Sequence, residues 1–156
     1  VAANPNYAEA VQEALARRRS AIVRISGYAM YPLLKHGTQV EVQPTALESL
    51  RPGDLIVFNN GREVICRRLL RVRGRLCWVK GDASLSADPP VTASQVMGRV
   101  TRMVDANYRI HFLDTPERAR VARAMARFSY LYAFWYRTRR RLRNWPWTSR
   151  GIEWFD

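Results

Sequence analysis

Hydrophobic positions along the chain follow two periods, and the switches between them mark three zones. In residues 6–19 the apolar side chains Ala10, Val11, Ala14 and Leu15 keep the spacing of one helix face, with Asn6 as N-cap and Glu9 three positions on. Residues 20–114 read as short β-branched runs at 21–25, 39–42, 55–58, 63–72, 76–80, 96–104 and 108–113, separated by turn residues. Arg73–Gly74 and Ala106–Asn107 are the expected hairpin turns. The helical period then returns. Thr115 is placed to cap, Pro116 suits the first helical position, and Glu117 falls in the first turn. Beyond them Val121, Met125, Phe128, Tyr132 and Trp135 recur at intervals of 4, 3, 4 and 3, predicting a long amphipathic helix. The expected fold is mainly β with flanking helices: a short N-terminal helix in 1–19, a β domain in 20–114, and a long basic, aromatic helix and tail in 115–156.

Composition narrows the classes. With 156 residues, 47% of them apolar, the chain can bury one core without disulfide or metal staples. Its two cysteines, Cys66 and Cys77, are too few for a disulfide scaffold or a zinc site, and neither a metal nor a cofactor is expected. A turn at Arg73–Gly74 would set Cys77 opposite Leu70 and leave Cys66 out of register, so both thiols are expected to be free. The longest apolar stretch, 128–136, has nine residues, well short of the roughly 20 a membrane-spanning helix needs. Residues 1–16 lack the basic-then-apolar order of a signal peptide, and the start at Val1 suggests processing or a trimmed chain.

Charge changes the picture more. The net charge is +13, and of 26 basic residues only Lys35 and Lys80 are lysines. Arginine's planar fork suits phosphate and carboxylate, although a codon preference would produce the same ratio. Codon preference does not explain the placement. Residues 116–150 hold ten arginines and one acid, Glu117, and so carry +9 of the total.

Several short boxes occur in order within the β zone. Gly27-Tyr28-Ala29-Met30-Tyr31-Pro32 comes first, then Pro52-Gly53-Asp54 before the run 55–58. Cys66-Arg67-Arg68-Leu69, Lys80-Gly81-Asp82 with Asp88 downstream, and Met97-Gly98-Arg99-Val100 follow. Any one of them could be an ordinary turn of a β protein. As an ordered set over about half the chain, they resemble the signal peptidase I and LexA-type serine peptidase superfamily. The resemblance implies a signal-peptidase-like β domain with a groove for an extended peptide. It also implies a nucleophilic serine before the Met of the first box, a Lys or His base before an Arg, and acids in the last box.

The chemistry departs from that pattern at two positions. Ala29 stands where the nucleophile belongs, and a methyl group cannot attack a carbonyl. Arg67 stands at the base position with Arg68 on the paired arginine, and a guanidinium does not give up its proton near neutrality. Another register would place Cys66 at the base position, but it sets Arg68 where an apolar residue belongs. Asp82 and Asp88 match the family's acids. Two readings remain: a catalytically silent relative, and a serine endopeptidase whose nucleophile has been replaced by Ala29. Two separate losses favour the first.

The last zone suggests a partner. Six aromatic residues fall within 128–136, and four of the five tryptophans lie in the final twenty-two residues. Aromatic rings beside arginines suit an amphipathic helix lying on an anionic membrane surface. The residues expected to bind a membrane or partner are Phe128, Tyr132, Trp135, Arg139, Arg140, Arg141, Trp145 and Trp147. A competing reading packs the stripe from Val121 to Trp135 onto the β domain and leaves the arginines solvated. The expected role is an accessory or binding subunit, peripheral on the cytoplasmic face of a membrane or within a membrane complex. No specific nucleic-acid recognition is expected, because nineteen residues before the β zone cannot form a separate DNA-binding domain.

Overall fold

The alternating runs assemble into one eight-stranded, wholly antiparallel sheet. The computed structural model describes residues 5–104 and 108–143. Helix α1 (Pro5–Arg18) leads into β1 (Ala21–Arg24), β2 (Gln39–Gln43), β3 (Leu55–Asn59), β4 (Val64–Arg73) and β5 (Leu76–Lys80). Strands β6 (Val91–Thr92), β7 (Val96–Val104) and β8 (Ile110–Phe112) complete the sheet. Helices α2 (Pro116–Arg127) and α3 (Ser129–Arg143) follow. The sheet order is β1-β2-β7-β3-β4-β5-β6, with β8 paired to β7.

Two cores form on opposite sides of the central strand β3, which is why its sequence is a continuous apolar run. Leu55 and Val57 join Val11 and Leu15 of α1, Val23, Val40, Val42, Met30 and Leu34 in the first core. Ile56 and Phe58 join Leu69, Cys77, Val79 and Val91 in the second. Each of these side chains contributes about 1.5–3 kcal/mol when fully buried. Cys66 and Cys77 are both free, one in each core.

The sequence expectations hold in outline for the β zone and need correction at several places. Helix α1 begins at Pro5, so Asn6 is inside it and is not its cap. Arg73 pairs with Leu76, so the hairpin loop is Gly74–Arg75, one residue later than expected. That loop position places Cys77 opposite Val72 and not Leu70, and a further register shift follows between Leu69 and Arg71. Strand β6 was not expected, since two residues are too short to show a period. The turn expected at Ala106–Asn107 lies outside the described residues.

The C-terminal helix starts as expected, with the Thr115 hydroxyl accepting from the Arg118 N–H and Pro116 in the first turn. It is not one helix, however. At Phe128 the backbone leaves helical values (φ −104°, ψ 18°) and α3 starts at the next residue. Much of the apolar stripe is turned away from the sheet: Val121, Phe128 and Trp135 are all more than half exposed, while Met125 is half-buried. Among the described side chains of these helices the buried ones are the small residues Ala126, Ser129 and Ala133, spaced 3 and 4 apart.

Candidate functional site

Gly27, at φ +77°, starts the loop that carries the first box, and its N–H donates to Nδ1 of His36 at 3.1 Å. Met30 and Leu34 are buried and pin the loop, leaving Ala29 between them and the exposed Tyr28. The Ala29 carbonyl accepts the Ala83 N–H at 2.9 Å. Gly81 is required by this contact. A Cβ at position 81 would lie 2.7 Å from the Ala29 oxygen and 3.0 Å from its methyl carbon. The first box and the Gly-Asp box are thus in direct contact.

Arg68 joins three boxes. Its Nε and Nη2 donate to the two oxygens of Asp82 at 2.7 and 2.6 Å, while Nη1 donates to the Gly53 carbonyl at 2.8 Å. Both side chains are 2% exposed. This two-pronged, charge-assisted geometry offsets the desolvation of two ions. Arg67, adjacent on β4 and so directed to the other face, donates from Nε to Asp88 at 2.6 Å and from Nη1 to the Cys66 carbonyl at 3.0 Å. The two consecutive arginines therefore take up the two acids expected at the site.

Neither arginine offers a proton acceptor, since a guanidinium only donates and each is engaged with a carboxylate. Burial pushes the Cys66 thiol up to about 12, the flanking arginines only partly opposing it, so the alternative register yields an inert thiol. What the arrangement does offer is backbone. Among the described residues, β1 pairs on one side with β2, and residues 64–67 of β4 pair on one side with β3. Their remaining edges carry backbone groups that an extended peptide could pair with.

Sequence reasoning missed the role of Lys80. It is 1% exposed, and its Nζ donates to the Gly81 carbonyl at 3.1 Å and to the Ser129 carbonyl at 3.0 Å. The ammonium also lies 5.2 Å from the Tyr130 ring centroid. Burial lowers its pKa. Lys80 thereby ties the start of α3 to the strand end that carries Gly81 and Asp82. One sequence signal was available: lysine persists here in a chain that otherwise uses arginine almost everywhere. A compact ammonium can donate to two converging carbonyls where a planar fork would not fit.

Phe128 and helix α3 after it present aromatic side chains outward. Phe128, Tyr130, Leu131, Phe134 and Trp135 are 51–67% exposed, and the Arg139 guanidinium carbon lies 5.2 Å from the centre of the Trp135 ring. The side chains of Tyr132, Arg140 and Arg141, and Trp145 and Trp147 altogether, lie outside the described residues. No described helix is long and apolar enough to cross a membrane.

An antiparallel β domain that brings these boxes together defines a serine-peptidase-type fold. Over residues 2–101 the chain matches the Peptidase S24-like family, and it belongs to that family. The match agrees with the LexA and signal-peptidase resemblance of the boxes. Comparison with curated proteins and with solved structures yields no match. Helices α2 and α3 lie beyond the matched segment.

Proposed function

We propose that this S24-like domain is catalytically silent and serves as a binding or accessory subunit at a membrane surface or in a membrane complex, on its cytoplasmic face. The observation that carries the reading is the pair of replacements at the reaction centre. A methyl group occupies the nucleophile position, and the base position holds a guanidinium bound to Asp88 at 2.6 Å. A peptide held along the open edges of β1 and β4 would be gripped but not cut. The exposed aromatic side of α3, with Arg139 beside it, supports attachment to anionic headgroups. Two buried free thiols fit a reducing compartment.

Ala29→Ser decides between silence and a lost nucleophile. The serine supplies an oxygen but no acceptor for its proton, and general-base help is worth about 10²–10⁴-fold. Digestion of a peptide library by the protein and by this variant is expected to leave both at background. Robust cleavage by the variant would show that another group acts as base, and the chain would then be a peptidase with a replaced nucleophile.

Surface attachment is tested with Phe134→Glu/Trp135→Glu. Both side chains are more than half exposed, so the fold is expected to survive. Losing the burial of two aromatic rings in the headgroup region should weaken sedimentation with phosphatidylserine vesicles by at least about tenfold. A protein that does not bind these vesicles before mutation, or binds duplex DNA equally well across a salt titration, would remove the membrane reading.

A further inference from the structure

A cleft of about 870 Å³ lies between α2 and the sheet, next to the Pro52-Gly53-Asp54 turn. Its volume falls within the roughly 300–1,000 Å³ typical of small-molecule sites. Ala29, Arg67 and Asp88 do not line it, and its α2 wall lies outside the segment matched to the family. It is therefore separate from the edges of β1 and β4 discussed above.

The chemistry of the walls is unusual in being nearly two-component. Leu33, Leu55, Val100, Met103, Leu113 and Met125 give an aliphatic interior. Among the described residues no phenyl, indole, hydroxyl or carboxamide side chain lines the cleft, so a sugar, a nucleoside or a polar peptide side chain would find almost no neutral hydrogen-bonding partner. The polar lining is ionic, apart from His111. Arg51, Arg99, Arg118 and Arg123 outnumber Asp54 and Asp114, and Arg68 is neutralised by Asp82. Asp54 is already occupied by the Arg51 N–H at 2.8 Å and stands 3.9 Å from the Arg99 Nη1. The Arg99 Nε is buried and has no hydrogen-bond partner among the described residues. A buried donor of this kind costs free energy until an acceptor meets it.

We infer that this cleft binds a single-tailed anionic lipid. The chain would lie along Leu55, Val100, Met103 and Met125, and the carboxylate would meet Arg99, with Arg118 and Arg123 at the mouth. An aliphatic body buried against aliphatic walls and an anion facing excess arginine account for both components of the lining. The inference is independent of the proposed role of α3, because the exposed aromatic side of that helix does not line the cleft.

The test titrates the full chain with dodecanoate, kept below its micelle threshold, and with dodecanol, following the heat of binding. One dodecanoate per chain is expected, with dodecanol at least tenfold weaker. Arg99→Leu should weaken dodecanoate about tenfold, the range expected for a lost charge-assisted hydrogen bond. Ala119→Trp, which fills the cleft from α2, should abolish binding while leaving the circular dichroism unchanged. Phe134→Glu/Trp135→Glu should leave binding as it was. Equal affinity for dodecanol and dodecanoate, or unchanged dodecanoate binding by Arg99→Leu, would overturn the inference. So would several sites per chain that vanish with the α3 variant, since the lipid would then be adsorbing to the aromatic side.

Discussion

Asp82→Ala should lower the free energy of unfolding by about 3–5 kcal/mol, a large share of the roughly 5–15 kcal/mol that holds a domain together. The Arg68 guanidinium would stay buried and charged after losing both carboxylate bonds, with only the Gly53 carbonyl still accepting from it. The side chain is 2% exposed where it stands, so its lost hydration is not restored in place and the cost is that of an uncompensated ion in the interior. Urea unfolding should show a lower midpoint with an unchanged slope. Asp88→Ala provides the contrast. Its pair with Arg67 is 17% and 32% exposed, so water can replace the lost partner and the cost should stay below about 1 kcal/mol. Equal losses at the two positions would mean that Arg68 reaches solvent when its partner is removed, and the three boxes would not depend on it for their arrangement.

The sequence made the sheet legible because burial leaves a local trace. Strand β5 has the expected ends, as does β7, and β3 reads as a solid apolar run because both its faces are covered. Thr115, Pro116 and Glu117 mark the start of α2 through their own local chemistry. Features set by distant contacts left no such trace. The hairpin loop falls one residue later than expected and the register shifts again between Leu69 and Arg71, and neither leaves a mark in the spacing of the run 63–72. The break at Phe128 falls beside Ser129, whose carbonyl is held by Lys80, forty-nine residues away. The stripe from Val121 to Trp135 has helical spacing whichever way the helix is turned. Spacing alone could not reveal that Ala126, Ser129 and Ala133 would face inward.

The candidate site divides in the same way. The boxes could be read from the chain, as could the missing oxygen at Ala29 and the fixed charge at Arg67. Their assignment to partners could not, since Arg67 reaches Asp88 across twenty-one residues and Arg68 reaches Asp82 across fourteen. The cleft under α2 was also invisible, because its walls come from β3, β7, the Gly53 turn and a helix beyond the family segment.

Gly53→Ala should lift α2 from the sheet. Gly53 sits at φ +103°, and a Cβ there would lie 2.6 Å from the Ala122 carbonyl carbon, 2.7 Å from the Arg123 nitrogen and 2.8 Å from the Ala122 oxygen. These are backbone atoms of a helix, so no side-chain rotation relieves the clash. Left-handed backbone costs an L-residue roughly 1–2 kcal/mol and overpacking about 1–3 kcal/mol more, for a total of about 2–5 kcal/mol. Displacing α2 limits the loss to the packing of that helix, so its amides should exchange faster with solvent while those of β7 stay protected. The dodecanoate site, which has α2 as one wall, should be lost with it. Gly61→Ala isolates the contribution of the clash: Gly61 has φ +88°, and a Cβ on it would meet nothing within 4 Å, so only the conformational strain applies. If Gly53→Ala costs no more than Gly61→Ala and leaves α2 protected, α2 is not seated on the Pro52-Gly53-Asp54 turn, and the cleft does not have the walls described for it.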